Sequence, residues 1–500
     1  MLRRCHGSGS LSKLGSGIVN LPLRILSIPA ARALLVCAFL WLLGFTYGRL
    51  FLWRDPHSAY FSSDGVYDLE YSAARQVEAR AFIDEVTAEV AAASAANTDP
   101  KTDDKGKGKG KGKNHGKAPK PRPKAGPTPA VCAAFATVRR EGDIARHYLA
   151  DAVGSMLAGL DPRERAAIHL KLLFANTDPA QHPDWKAPWV DALVDDASGY
   201  RGLTKLERAG LRKAEEERDL QLKGVYDYLY VVERCLEDTN APFIAVFEDD
   251  IIFSGDWAAR TLRGLQYLVR DYKKPEGDKD WLYMRLFYTE THLGFSAERD
   301  WWYNHLPLTL AIAAGSSAVL LVLLRLLGCG ARLRLDWATI AVVSLLVAPG
   351  FTALAFMAGK HNLPLPGYSL HHNVPFGPPD SALAAGVSPM DKNACCTQAL
   401  VFHRDALPGL IKNLRKRERG QTDSMIEEYC DATGFKRFAL REQVVQHVGL
   451  VSSRGMRQVD AQSVWAFWFE AYKPDAVEKS HRKVVEEVDW AMFDKLAAGG

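Results

Sequence analysis

A chain of 500 residues with 47% hydrophobic and 24% charged residues can bury the core of one large domain or two smaller ones, which excludes a wholly disordered polypeptide. The formal net charge is +4, but residues 97–130 hold nine Lys and one Arg against three Asp, a local +7 that leaves −3 on everything else. Those lysines alternate with glycine in GKGKGKGK and form no folded face with interleaved aromatics, so nucleic-acid binding is not expected.

Residues 1–32 carry Arg3, Arg4, Lys13, Arg24 and Arg32 and no acid, and an uncharged run from Ala33 to Gly48 continues through Arg49 to Trp53. The spacing predicts a membrane anchor over 33–53, with 1–32 cytosolic and Asp55, Asp64, Asp68 and Glu70 on the lumenal side. A cleavable signal peptide is the competing reading, but the apolar run starts late and Trp53-Arg54-Asp55 is a poor cleavage site. Residues 54–96 are expected as a lumenal stem, with Val66, Leu69, Ala73, Val77, Phe82, Val86 and Val90 at helical spacing. The Lys-Gly repeats and prolines of 97–130 predict an extended or disordered linker.

The first buried strand is expected at Val131–Val138, followed by a helix over His147–Leu160 and a second strand over 167–175. A charged helix over about 204–238 then leads to a third strand, Pro242–Phe247, which runs directly into Glu248-Asp249-Asp250. Strands alternating with helices argue for an α/β fold with a mainly parallel sheet. Leu306–Leu324 and Trp337–Gly359 are both free of charge, and Arg325, Arg332 and Arg334 lie between them. They predict a transmembrane hairpin over 306–359 with a cytosolic turn, a pair of buried core helices being the alternative. With that parity, 131–305 and 360–475 can fold together on the lumenal side, and 476–500 forms a C-terminal helix and tail.

An apolar strand that ends in three acids places their carboxylates at the edge where open α/β sheets bind ligands. A hard divalent cation would neutralise them and bridge the phosphates of a nucleotide; the bland reading is a solvated acidic turn or a helix N-terminus. Gln421-Thr-Asp-Ser-Met-Ile-Glu-Glu reads as a helix start capped by Thr422 or Asp423.

Phe247-Glu-Asp-Asp-Ile-Ile-Phe-Ser-Gly-Asp-Trp257 resembles the metal-binding signature of GT-A glycosyltransferases, as Glu-Asp-Asp rather than Asp-x-Asp. Val445-Gln-His-Val-Gly-Leu-Val-Ser-Ser453 resembles the His-x-Gly-x-x-Ser-Ser segment of the N-acetylglucosaminyltransferase IV group. With the inserted hairpin, the whole is similar to the GPI-GalNAc transferases, Golgi enzymes that modify GPI anchors after attachment to protein. The resemblance implies a Rossmann-like GT-A domain interrupted by the hairpin, an inverting transfer of GalNAc from UDP-GalNAc, and GPI-anchored proteins as partners.

It also implies roles for residues. Asp250 would be the main metal ligand and His447 would complete the metal or diphosphate shell, a set that suits Mn²⁺. Glu248 and Asp249 would lie near the ribose or sugar, Arg139 and Arg140 near the phosphates, and Lys223, Tyr226 and Asp227 along the uracil pocket. Asp423 would be the general base, with Glu427 and Glu428 in reserve; capping for Asp423, plain packing for His447 and solvated charge for the two arginines are the alternatives. Five cysteines, Cys132, Cys235, Cys395, Cys396 and Cys430, fall on the lumenal side, and a bond from Cys430 to Cys395 or Cys396 is expected. There is no Asn-x-Ser/Thr sequon. An N-acetylglucosaminyltransferase acting on N-glycans shares both motifs, and a membrane-tethered glycan-binding scaffold is the non-enzymatic alternative.

Overall fold

The computed structural model describes residues 28–97, 122–140, 142, 145–272, 276, 279–291, 295, 300–327, 335–363, 386–390, 396–450 and 462–499. Most of the expected linker, Cys395 and the Ser452-Ser453 end of the second motif lie outside them. The chain divides into two units, one made of Met1–Ser63 with His292–Gly377, the other of Asp64–Thr291 with Pro378–Gly500.

The first unit holds α1 (Pro29–Phe51), α6 (Leu306–Leu326) and α7 (Trp337–Ala358), each long and apolar enough to cross a membrane. Only 6%, 6% and 11% of their apolar windows is buried within the protein, so these helices are not a pair of core helices. Small residues let them meet: Gly44 of α1 packs on Leu354, and Trp41 Nε1 donates to the Gly350 carbonyl at 2.8 Å. In α7 the five residues Val343–Val347 form a π-turn just before Pro349, where proline supplies no donor.

The second unit is built on an eight-stranded sheet in the order β3-β2-β1-β4-β8-β6-β9-β7. Its strands are β1 (Val131–Thr137), β2 (Ile168–Phe174), β3 (Asp196–Ser198), β4 (Phe243–Phe247), β6 (Trp281–Arg285), β7 (Val387–Pro389), β8 (Ala399–His403) and β9 (Lys436–Leu440). β3, β2, β1 and β4 run parallel, β6 pairs parallel with β9, and β8 and β7 run against them. A separate pair joins β5 (Ile251–Phe253) to β10 (Val445–His447). Alternate residues of β1 serve two cores: Val131, Ala133 and Phe135 face one, Cys132 and Ala134 the other. A sheet covered on both faces is why β1 and β4 read as nearly continuous apolar runs.

One face is covered by α2 (Tyr71–Asn97), α3 (Tyr148–Leu157) and α5 (Trp257–Gln266), the other by α4 (Leu220–Asp238), α8 (Leu407–Arg417) and α9 (Thr422–Thr433). The helix expected as a stem is thus part of the core. Its Ile83 and Val86 are buried, a Cβ on Gly154 would lie 2.7 Å from the Ala79 carbonyl oxygen, and Arg75 donates to the Phe253 and Ser155 carbonyls at 3.0 and 2.7 Å. The single charged helix expected over 204–238 is two helices, Lys205–Glu216 and α4. Arg218 sits at φ 57°, and Asp219 caps α4 by accepting from Leu222 N at 3.2 Å. Val477, Val484 and Phe493 of the C-terminal helices α10 (Pro474–Glu487) and α11 (Trp490–Ala497) are buried as well.

The expected Cys430 bond is not formed. Cys430 is a free, buried thiol pushed up to about 12 by burial, whereas Cys396 is disulfide-bonded and Cys132 of β1 is joined to Cys235 of α4. Cys430 belongs to the apolar core on one face of the sheet and Cys396 to the core on the other.

Candidate functional site

Topology gathers the site. β1 and β4 are parallel neighbours and end at the same edge, so Arg140 and the Glu248-Asp249-Asp250 run emerge side by side. Antiparallel β8 begins at that edge, where the Glu248 N–H donates to the Gln398 carbonyl at 3.0 Å. The β5–β10 register pairs His447 with Ile251 and brings His447 next to Asp250. The start of α9 supplies Thr422 and Asp423. Together these enclose a cleft of about 300 Å³ lined by Arg140, Asp227, Tyr228, Glu248, Asp249, Asp250, Gln398, Asp423, His447 and Gly449 among others.

Arg140 is the counterion of the acidic edge. Its Nη1 donates to Asp250 Oδ2 at 2.8 Å, and its Nη2 to Asp249 Oδ1. Asp249 Oδ2 also accepts from the Thr137 hydroxyl at 2.6 Å, and Thr137 in turn lies 3.0 Å from His182 Nε2. With the hydroxyl proton committed to Asp249, His182 must donate from Nε2, and its Nδ1 accepts from the Asp184 N–H at 3.1 Å. Burial first and Arg140 second hold that imidazole down to about 4, so it is neutral. Burial works against the charge on Asp250, but Arg140 and His447 hold its carboxyl well below the usual range; Asp249 is raised, burial and the adjacent Asp250 outweighing Arg140. His447 is raised because Asp250 beside it overcomes burial.

Three observations bear on whether a divalent cation fits. Asp250 Oδ1 is buried with no hydrogen-bond partner among the described residues. His447 Nε2 lies 3.6 Å from Asp250 Oδ2, while His447 Nδ1 lies 3.2 Å from the Val464 carbonyl and must donate to it, which is how a metal-ligating histidine is commonly oriented. At Gly449 a Cβ would come within 2.2 Å of Asp250 Oδ2 and 2.7 Å of His447 Nε2, so the backbone there cradles the space between the two groups. No group of three or more His, Cys, Asp and Glu side chains among the described residues forms a ready metal site. Asp250 and His447 could thus hold a divalent cation only if it drew its further ligands from outside this pair.

Other residues singled out in the sequence are placed elsewhere. Arg139 is exposed, and only its backbone N–H is engaged, by Asn176 Oδ1 at 2.8 Å. Lys223 is buried behind the cleft, 2.9 Å from both Asp227 oxygens and donating to the Tyr200 hydroxyl and the Ala175 carbonyl. Asp227 reaches the cleft wall, with burial outweighing Lys223 to raise its carboxyl. Tyr226 stacks on Tyr230 outside the cleft lining. Glu248 lines the cleft, its Oε1 accepting from the Thr397 hydroxyl at 2.7 Å. Asp423 does not cap α9: Gln421 holds the N-cap position, and Asp423 Oδ1 accepts from Ser424 N at 2.7 Å. Glu427 faces away from the cleft, held by Tyr283, Arg285 and Arg437, and Glu428 is exposed and paired with Arg417.

Sequence reasoning missed Thr137, His182, Tyr228 and Gln398. Tyr228 follows Asp227, and Gln398 precedes β8, but neither sits in a motif. What marks them is that Tyr228 Oη and Gln398 Oε1 are buried without a partner among the described residues.

A family model described as GPI-N-acetylgalactosamine transferase PGAP4 matches residues 131–446, more than half of the chain, from β1 to the residue before His447 and across both apolar helices α6 and α7. No curated protein matches the chain well enough to count as a relative. The chain belongs to that glycosyltransferase family.

Proposed function

We propose, from that membership, that the chain is a Golgi enzyme transferring GalNAc from UDP-GalNAc to the mannose core of GPI anchors on proteins. The transfer inverts the anomeric carbon and uses Mn²⁺ or a similar divalent cation, on a GT-A domain. The observation that carries this reading is one cleft holding a carboxylate with an unpartnered oxygen, Asp250, an imidazole beside it, His447, and a further carboxylate, Asp423.

Asp250 and His447 would hold the cation, which when bound neutralises the charge developing on the departing diphosphate. Arg140, whose two terminal nitrogens bond Asp250 and Asp249, would turn its planar fork to phosphate oxygens once a cation takes over those carboxylates. Ala136, Val138 and Val246 give the cleft an apolar wall beside Gly224, where a Cβ would meet open space, and this suits a flat uracil ring. Asp423 takes the proton of the attacking mannose hydroxyl, the single base that one inverting displacement needs.

The three apolar helices would span the Golgi membrane, with the N-terminus and the α6–α7 turn cytosolic and the sheet unit lumenal. GPI anchors are themselves lipid-held, so tethering the catalytic sequence once before β1 and again between its two halves would raise the effective concentration of acceptor. The test is titration of Mn²⁺ into the full chain with UDP, followed by the loss of the free-ion EPR signal. Asp250→Asn should weaken binding by about tenfold or more, and equal affinity in the two proteins would remove the metal from Asp250.

A further inference from the structure

Burying a polar atom without a hydrogen-bond partner is costly, so each such atom in a cleft asks for a ligand group that could satisfy it. In this cleft it happens at Tyr228 Oη and Gln398 Oε1 as well as at Asp250 Oδ1, with the three residues only 8%, 7% and 5% exposed. Asp250 is explained by the cation site; the other two are not. Both belong to the wall around Glu248. Gln398 accepts the Glu248 N–H on its backbone carbonyl, and the preceding Thr397 holds the Glu248 carboxylate. The Tyr228 hydroxyl lies in the electrostatic reach of Arg285, Glu248 and Tyr283. Arg285 and Tyr283 both bond Glu427, one helical turn beyond Asp423 on α9. Tyr228 and Gln398 line the same cleft as the acidic edge, where the diphosphate would sit, and as Asp423 at the start of α9.

We propose that Tyr228 Oη and Gln398 Oε1 are the specificity-determining contacts for the transferred sugar, hydrogen-bonding the polar substituents of its hexosamine ring. This rests on the donor-site reading given above. A sugar whose anomeric carbon lies between diphosphate and base has its ring in this space. A tyrosine hydroxyl can donate to or accept from a ring hydroxyl, while a glutamine carbonyl oxygen accepts from a hydroxyl or an acetamido N–H. A site built this way discriminates strongly, because a sugar that fails to reach the two atoms leaves them buried and unpaired.

The arrangement predicts opposite signs for stability and function. Tyr228→Phe removes an unsatisfied buried hydroxyl, so the free enzyme should melt about 2 °C higher, while kcat/KM for UDP-GalNAc falls about tenfold or more. UDP itself, which has no sugar, should bind within about twofold of the parent. Gln398→Met keeps the size of the side chain and removes the acceptor, and should repeat the pattern of lost sugar-donor efficiency with retained UDP affinity. The measurement is UDP affinity by calorimetry, kcat/KM with UDP-GalNAc and a GPI acceptor, and thermal unfolding, all on the full chain in detergent. Unchanged kcat/KM in both variants, or a loss of UDP affinity equal to the loss of kcat/KM, would overturn the assignment. Failure of the parent to bind UDP would instead sink the donor-site reading beneath it.

Discussion

At the cleft, Asp249 and Asp250 share one arginine, and Asp250 keeps an oxygen with no partner among the described residues. Behind the cleft, Glu427 is gripped by Arg285 and Arg437 at 2.6 Å each and by the Tyr283 hydroxyl, so both its oxygens are engaged. Both clusters are buried carboxylates paired with guanidinium, and from composition alone they are indistinguishable. The difference is residual bonding capacity. The Glu427 carboxylate, with both oxygens engaged, ties α9 to β6 and β9, while Asp250, with Oδ1 unpartnered among the described residues, lines a cleft and can take a ligand. Asp423, Glu427 and Asp431 follow one another at intervals of four on α9, so one helix face carries a cleft acid at its start and clamped acids further along. Arg437 bonds Asp431 as well, at 2.6 Å.

That contrast can be broken by substitution. Asp250→Ala should reduce GalNAc transfer by about 10³-fold or more while costing less stability than any change at Glu427, because its proposed work is to hold the cation and diphosphate. Transfer within tenfold of the parent would contradict it. Asp423→Asn should lower kcat by about 10²–10³-fold with donor affinity nearly intact, as expected of a base that acts only in the displacement. Since Gln421 holds the cap position, little folding cost should obscure the result. Glu427→Ala should do the reverse, leaving two buried arginines short of a partner and costing about 3–5 kcal/mol of stability, read as a lowered thermal midpoint. An unchanged midpoint would mean that the cluster does not hold α9.

The smallest expected effect belongs to a third kind of pair, His481 with Glu164 at 2.8 Å. The hydrogen bond to Glu164 raises the His481 imidazole above its usual value, with burial opposing. A raised folded value makes the pair's contribution, about 1 kcal/mol, fully present below about pH 6.5 and lost as pH climbs through the folded value. His481→Gln should therefore lower the midpoint at pH 6 more than at pH 8, and an equal shift at both would refute the pairing.

Much of the sheet was legible because its strands are buried on both faces. Val131–Ala136 and Phe243–Phe247 stand out as unbroken apolar runs, Ile168–Phe174 as an apolar run interrupted by His169 and Lys171, and the acids after the last of the three point to the ligand edge. Three-residue β3 and the short β5–β10 pair carry too little pattern to be read. The break at Arg218 depends on a left-handed backbone conformation that no periodicity announces. The core role of α2 was hidden because an amphipathic helix looks alike whether it stands as a stem or packs on a sheet. Of the residues lining the cleft, Asp250 and His447 stood out through their motifs, whereas Tyr228 and Gln398 are marked only by buried atoms without partners among the described residues, a property of the folded packing. Glu427 was misplaced for the same reason: its burial against Arg285 and Arg437 is a tertiary fact.

The central claim, that the cleft is a metal-dependent UDP-GalNAc site serving a GPI acceptor, is tested most directly by a donor panel. UDP release and sugar transfer would be followed with UDP-GalNAc, UDP-GlcNAc and UDP-galactose, each with a GPI acceptor, in Mn²⁺ and after EDTA. The account predicts transfer from UDP-GalNAc above the other two, abolished by EDTA and restored by added Mn²⁺. Equal transfer from UDP-GlcNAc, or full transfer from UDP-GalNAc in EDTA, would contradict it.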